Sequence, residues 1–440
     1  MVLAADVDHA ALITEASRLS WSDVPTDLRS HAVRVFADTI GVIIAGARQP
    51  EIAALVADRE PLFAAGEGSA TALVRSLPRM SAPRAAFVNG TAGTFLELDE
   101  ACPPWSHPAI HVLPAALAAA ETLGSSGREL MTAFVAGYEV VARLFDAYRL
   151  PFPLHPHGHL GAVGAAVAVA MLRRADALEP AAIAASAPIL TTWDSCFEGA
   201  TVRNAWAGLA AEAGLRSNAL AQTGFTGSRT ALGTAFGKVA GEISDLAALT
   251  RPIEPSALRI GRNYFKFHSA CAGTHPALDA TMALGRFAAD EVESVLVEVA
   301  PQNWKLFAQS RGNELSNRFS IPYAVAAAIV HGHTAPEAFR NDDRVARLAT
   351  RVSVRTAPDL DAPDPHTRMP ARVTVRAGDR TFTRAIEHPY GHVENPASTD
   401  RLREKFDLLT ASMDVGLYDR LLAIEQQRDV GTLFSELHAT

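Results

Sequence analysis

Three cysteines in 440 residues, Cys102, Cys196 and Cys271, are too few and too widely spaced for a disulfide framework or a paired-cysteine zinc site. A reducing cytoplasm is the expected compartment. The longest small-apolar run, GAVGAAVAVAML from Gly161 to Leu172, falls short of the ~20 residues of a membrane span. The N-terminal segment MVLAADVDHAALITEA lacks the basic start and continuous apolar stretch of a secretion signal. Lys and Arg number 40 against 48 Asp and Glu, a net charge of −8, which argues against the basic face that displaces counterions from nucleic acid. Neither a nucleic-acid nor a membrane partner is expected. Lysine is the scarcest charge: only Lys238, Lys266, Lys305 and Lys405 occur. Arginine stays protonated, whereas a desolvated lysine titrates nearer neutrality, so each lysine is a candidate for chemistry as well as for a solvated surface group.

Several catalytic signatures are also missing. Gly158, Gly161 and Gly164 give GxxGxxG rather than GxGxxG, and the preceding LHPH is no strand, so a dinucleotide fingerprint is not built. GTAFGK from Gly233 is one residue short of a phosphate-binding loop, with Val239 where a magnesium-binding hydroxyl belongs. GxSxG and HExxH do not occur. His155, His157 and His159 alternate beside Pro156 and Gly158 without a second ligand cluster in sequence, so no metal or other cofactor is expected.

What is present is a well-cored chain, 48% hydrophobic and 20% charged, with a mean hydropathy of +0.08. Val33, Phe36, Ile40 and Ile43 recur at helical spacing before a stop at Gly46. Similar patterns predict helices over 81–98, 112–123, 128–148, 160–173, 180–186 and 203–220. After Lys266 the texture changes. Helices are predicted over 274–287, 319–330 and 336–349, and strands over 295–299, from Arg351, from Ala371 and from Thr381, the last two joined by a hairpin at 377–380. Helix returns over 398–437 with Ser398 as its N-cap. The pattern predicts a mainly α protein with an inserted α+β domain carrying a mainly antiparallel four-stranded sheet. Its expected divisions are 1–266 for the first part of the helical domain, 267–395 for the insertion and 396–440 for the helical return.

Five of the 15 histidines, His107, His111, His155, His157 and His159, lie within 107–159, and His268 and His275 flank the crossing beside Lys266. Imidazole transfers protons near neutral pH, although a single histidine more often caps a helix or binds a carbonyl. Tyr138 shares a helical stripe with Phe134, Val141 and Phe145, which suits a core tyrosine as well as a proton donor. Arg143 has Glu139 one turn before it as a pairing partner.

A set of ordered segments carries a resemblance: VFADTIGVIIAG from Val35, AAFVNGTAGTFLELDE from Ala85, HPAIHVLPAALAAAE from His107, GYEVVAR from Gly137, LHPHGHLGAVGAA from Leu154, GFTG from Gly224, KFHSACAGTH from Lys266, FSIPY from Phe319, and ENPAS with KF at Lys405. Over nearly its whole length the chain resembles the MmgE/PrpD family of 2-methylcitrate dehydratases, cis-aconitate decarboxylases and an iminodisuccinate epimerase. The resemblance implies a helical domain interrupted by an α+β domain, a homodimer, a site between the domains, and chemistry without a cofactor. It implies handling of a proton or a carboxylate at a carbon beside a carboxylate, where developing negative charge must meet preorganised cations and donors.

By this resemblance Lys266 is the first choice for holding a substrate carboxylate or moving the proton, and His107 and His155 are the acid and base. Asp99 would orient an imidazole or end a helix. Tyr138 is a further catalytic candidate, and Arg203, His157, His159 and His268 are substrate-binding candidates. The chain departs from the family where VRNAWAG places Arg203 at a position often occupied by lysine, and where His157 and His159 replace residues that are usually threonine. The implied activity is a cofactor-independent lyase, a dehydratase or decarboxylase, acting on a small di- or tricarboxylate. An isomerase using the same carbanion and a non-catalytic carboxylate-binding protein are the alternatives.

Overall fold

The structure, a computed structural model, describes residues 9–57, 68–76, 78–104, 106–361, 369–411 and 416–434. The first eight residues of the N-terminal segment, and 435–437 at the end of the predicted helical return, lie outside these. Among the described residues no single helix is long and apolar enough to cross a membrane.

The principal helices of the first half are α1 (Thr26–Gly46), α2 (Ala82–Thr94), α3 (Pro108–Leu123), α4 (Gly127–Ala147), α5 (Gly161–Leu172) and α6 (Ala205–Gln222). Their low polarity follows from their position: α3 and α5 are buried on nearly every side, so the one-sided stripe of a surface helix is not needed. Small residues set the spacing between them. A Cβ on Gly90 of α2 would lie 2.7 Å from the Cα of Gly208 in α6, so the two backbones touch where neither carries a side chain. A Cβ on Gly161, at the start of α5, would strike the ring of His111 at 2.4 Å. That close approach seats the histidine loop against α3. The N-terminus of α4 is closed by a capping box, Ser126 with Glu129.

The second half contains α7 (His275–Ala283), β1 (Val292–Val299), α8 (Ile321–His331), α9 (Asp343–Ala349), β2 (Val352–Thr356), β3 (Ala371–Ala377) and β4 (Arg380–Ile386), followed by α10 (Thr399–Leu409). The sheet order is β2-β1-β3-β4. Val295, Val297, Val299, Val373 and Val375 pack with Leu278, Val325 and Phe339 in a core of their own. On the outer face Glu298 receives Arg355 and Arg372. The β3–β4 hairpin turns at Gly378, whose φ of +55° suits a residue without a Cβ. Ser398 caps α10, accepting from the N–H of Arg401 at 3.2 Å. Beyond the sheet, Leu402, Phe406, Leu417 and Tyr418 rejoin the core formed by the first six helices.

The sheet corrects one expectation. It is mixed, because β1 pairs antiparallel with β3 but parallel with β2. Between β1 and β2 the chain crosses over through α8 and α9, and a crossover of that length returns the strand in its original direction. Short-range sequence patterns identify both strands but not their relative sense. The helix predicted over 274–287 also stops early, at Ala283, just before Gly285 with φ +93°.

Candidate active site

A cavity of about 810 Å³ opens between the helical core and the sheet-bearing half. Its polar wall includes Glu97, His107, His155, Arg203 and Lys305, and its apolar wall includes Phe152, Trp193, Trp304 and Phe319. The segment after α2 supplies the first acids. Glu97 adopts a left-handed φ of +53°, a strained conformation for a residue with a side chain. That backbone turn aims its carboxylate inward, where it pairs with Arg203 and lies 3.8 Å from Lys266 Nζ. Arg203 also donates to the Thr94 carbonyl at 3.1 Å, and its guanidinium lies 5.3 Å from the centre of the Phe319 ring.

Asp99, two residues on, has one carboxylate oxygen 3.5 Å from Lys266 Nζ and the other 3.2 Å from His107 Nδ1. Burial alone would raise its pKa, but the Lys266 ammonium, and after it His107, hold it well below the usual carboxylate range. His107 precedes Pro108 at the start of α3. Its Nδ1 also lies 2.7 Å from the Glu100 carbonyl, which can only accept, so the hydrogen sits on Nδ1 and Nε2 of the neutral ring carries the lone pair.

The second histidine group lies in the loop before α5. Thr191 holds it: the Thr191 carbonyl accepts from the His155 N–H at 3.0 Å, and its hydroxyl donates to the His157 carbonyl at 2.7 Å. The His157 N–H donates to His155 Nδ1 at 3.2 Å, which leaves the hydrogen of neutral His155 on Nε2. The rings form a column: His107 stacks on His157 at 4.4 Å, His157 on His155 at 5.1 Å, and His155 meets Trp193 at 4.5 Å. Desolvation first, and the charges of Arg203 and the neighbouring rings next, push the pKa of His155 and His157 well below the ordinary value. Both rings are neutral near pH 7.

Of the expected residues, His107, His155 and Arg203 line the cavity. Asp99, His157 and Lys266 stand directly behind them, Lys266 with no exposed surface. His159 lies 3.3 Å from the Thr191 hydroxyl and edge-on to Phe236, away from the cavity wall. Tyr138 donates to Glu100 Oε2 at 2.9 Å inside the helical core, where Phe134 packs edge-on to it. His268 lies between Thr334 at 2.5 Å and Asp279 at 3.0 Å, outside the cavity wall. Arg143 bonds Glu139 at 2.7 Å, as their spacing predicts. Lys405 pairs with Asp38 at 2.7 Å, and Lys238 is exposed. Sequence reasoning did not single out Glu97, although it shares the LELDE segment with Asp99, and it named Lys305 only for the rarity of lysine.

Asp99, His107 and His157 offer one oxygen and two nitrogens within 4.8 Å of one another, close enough to share an ion. Nδ1 of His107, the nitrogen facing Asp99, is committed as a donor to Glu100, and Lys266 already supplies positive charge there. The donor set therefore fits a hydrogen-bonded cluster better than a three-ligand metal centre.

The MmgE/PrpD N-terminal domain model matches residues 11–243, and the MmgE/PrpD C-terminal domain model matches residues 268–426. The chain belongs to the MmgE/PrpD family. It is 28% identical to a cis-aconitate decarboxylase of Mus musculus over 359 residues, covering 74% of this chain and 72% of that protein. A cis-aconitate decarboxylase of Homo sapiens is 27% identical over 368 residues, with the same coverage.

Two stability predictions follow from this MmgE/PrpD site. Lys266→Ala leaves Asp99 and Glu97 buried with one cation fewer, so chemical denaturation should show a loss on the order of 3–5 kcal/mol. A loss within about 1 kcal/mol would contradict the burial argument. Glu100, pushed up to about 7 by burial against hydrogen bonds from Ala109, Asn263 and Tyr138, binds its proton more tightly when folded than when unfolded. Its contribution to stability is complete below about 4.5, the ordinary glutamate value, and is lost as pH rises through 7. The wild-type-minus-Glu100→Gln stability difference should therefore fall by roughly 1.4 kcal/mol per pH unit across that window. A difference independent of pH would show that Glu100 titrates normally.

Proposed function

We propose that the protein is a lyase that decarboxylates or dehydrates a small di- or tricarboxylate, with no metal or organic cofactor. One observation carries the reading: two histidines on one cavity wall beside Arg203 have oppositely committed Nδ1 atoms, that of His107 against a carbonyl and that of His155 accepting from an N–H, so in their neutral forms Nε2 is a lone pair on His107 and an N–H on His155. The cis-aconitate decarboxylases that the chain resembles support the lyase class.

Both reactions pass through an electron pair on a carbon adjacent to a carboxylate. In decarboxylation the bond to a leaving carboxylate breaks, CO2 departs, and the pair left on carbon takes up a proton. In dehydration a base removes the proton first, and the pair then expels hydroxide, which must itself be protonated. In dehydration His107 Nε2 accepts the carbon proton and returns it to the departing hydroxide; in decarboxylation a ring that has first taken a proton from solvent delivers it to the carbon, and in both Asp99 stabilises the charged ring. His155 Nε2–H and Arg203 face the developing carboxylate charge. Arg203 clamps a carboxylate through two N–H groups and moves no proton, which suits it to binding.

A panel of di- and tricarboxylic acids incubated in heavy water, followed by NMR for α-proton exchange, CO2 and alkene formation, tests this reading. His107→Ala should lower turnover at least ~100-fold with little change in stability, and His155→Ala should do so while leaving exchange partly intact. Wild-type turnover in His107→Ala would remove it from the mechanism. Inversion without loss of water or CO2 would make the protein an isomerase.

A further inference from the structure

His155 ends the column of imidazoles that begins at His107, and beyond it the rings are apolar. Trp193 meets His155 at 4.5 Å, Phe197 stacks on Trp193 at 5.7 Å, Phe152 follows at 6.5 Å, and Trp304 ends the series 5.0 Å from Phe152. Phe319 stands where the two parts join, its ring 6.4 Å from that of His155, 5.9 Å from Trp193 and 5.3 Å from the Arg203 guanidinium. Trp193, Phe152, Trp304 and Phe319 all line the cavity. An aromatic track therefore leads away from the reaction centre along the same cavity.

Two features of the track point to a ligand. Trp304 is 52% exposed and Phe152 46%, although they are large apolar rings in contact, and water over such a pair is unfavourable. One comes from the segment after α4 and the other from the turn Pro301–Leu306 after β1, so each side of the cavity contributes a ring. The volume is the second feature. At about 810 Å³ the cavity lies in the upper part of the ~300–1,000 Å³ range of pockets that enclose ligands of drug size. A bare di- or tricarboxylate held at Arg203 and the histidines leaves the aromatic part unused.

We propose that the substrate is a di- or tricarboxylate bearing an apolar substituent, which lies along Trp193, Phe152 and Trp304 while its carboxylates stay at Arg203 and the histidines. The inference rests on the carboxylate-lyase reading above and narrows its substrate class. Burying the substituent removes its surface and that of the rings from water, and the rings have few conformations to lose on binding. The substituent also helps to fix the reacting carbon, because the track and the imidazole column meet at His155.

Ligand-observed NMR titrations of the full chain with succinate and with benzylsuccinate, the same diacid carrying an apolar ring, test the proposal. Wild-type protein should bind benzylsuccinate about tenfold or more tighter than succinate. Trp304→Ala and Phe152→Ala, both at half-exposed positions, should each weaken benzylsuccinate about threefold or more and leave succinate within about twofold. Equal wild-type affinity for the two acids, equal weakening of both acids by the variants, or variants that bind benzylsuccinate as tightly as the wild type overturns the aromatic subsite and leaves the carboxylate reading standing. In that last case, a changed oligomeric state in size-exclusion chromatography would assign the exposed rings to a protein contact. A wild-type protein that binds neither acid overturns the carboxylate reading and this inference with it.

Discussion

The buried set of Glu97, Asp99, Arg203 and Lys266 is the interaction on which the site depends. Each of these side chains is almost wholly removed from water, and each charge is tolerable only because an opposite one lies beside it. The four come from distant parts of the chain: the segment after α2, the 3-10 turn Thr201–Asn204 just before α6, and the irregular residues before α7. Their mutual attraction therefore holds the segment before α7 against the helical core. A buried ion pair adds little net stability compared with apolar packing, but removing one member leaves an uncompensated charge. The set is better understood as a constraint on geometry than as a source of stability.

The histidines inherit that geometry. Asp99 takes the Nδ1 side of His107 together with the Glu100 carbonyl, so the ring turns its other nitrogen towards the cavity. The loop before α5 orients His155 in the opposite sense through a single backbone N–H. His157 fills the space between them as a spacer: neither of its ring nitrogens has a hydrogen-bond partner among the described residues, and it is held by stacking on both rings, with Asp99 3.7 Å from its Nε2. A pair of imidazoles with opposite hydrogen placement is thus built from one carboxylate, one carbonyl and one amide.

Much of this was legible in the residues themselves. Helical spacing from Val33 to Ile43 and the stop at Gly46 locate α1, and the Ser398 cap locates α10, because these features act over one or two turns. The 377–380 hairpin was legible for the same reason. The parallel pairing of β1 and β2 was not, since it depends on how α8 and α9 pack during the crossover. At the site, the clustering of His107, His155 and His157 signalled a shared location. The burial of Lys266 carried no sequence signal: a lysine between Phe265 and Phe267 reads equally as an edge residue, and only the fold brings Glu97 and Asp99 to it. Lys305 was visible only as a rare residue type, because its partner ring, Trp193, lies more than a hundred residues away.

The central claim is that backbone and carboxylate contacts set His107 and His155 in opposite hydrogen states before substrate binds. Neutron diffraction from crystals exchanged into heavy water at neutral pH reads this directly. The account predicts deuterium on Nδ1 of His107 and on Nε2 of His155, with none on Nδ1 of His155. Deuterium on His155 Nδ1, or a bare His107 Nδ1, would contradict it.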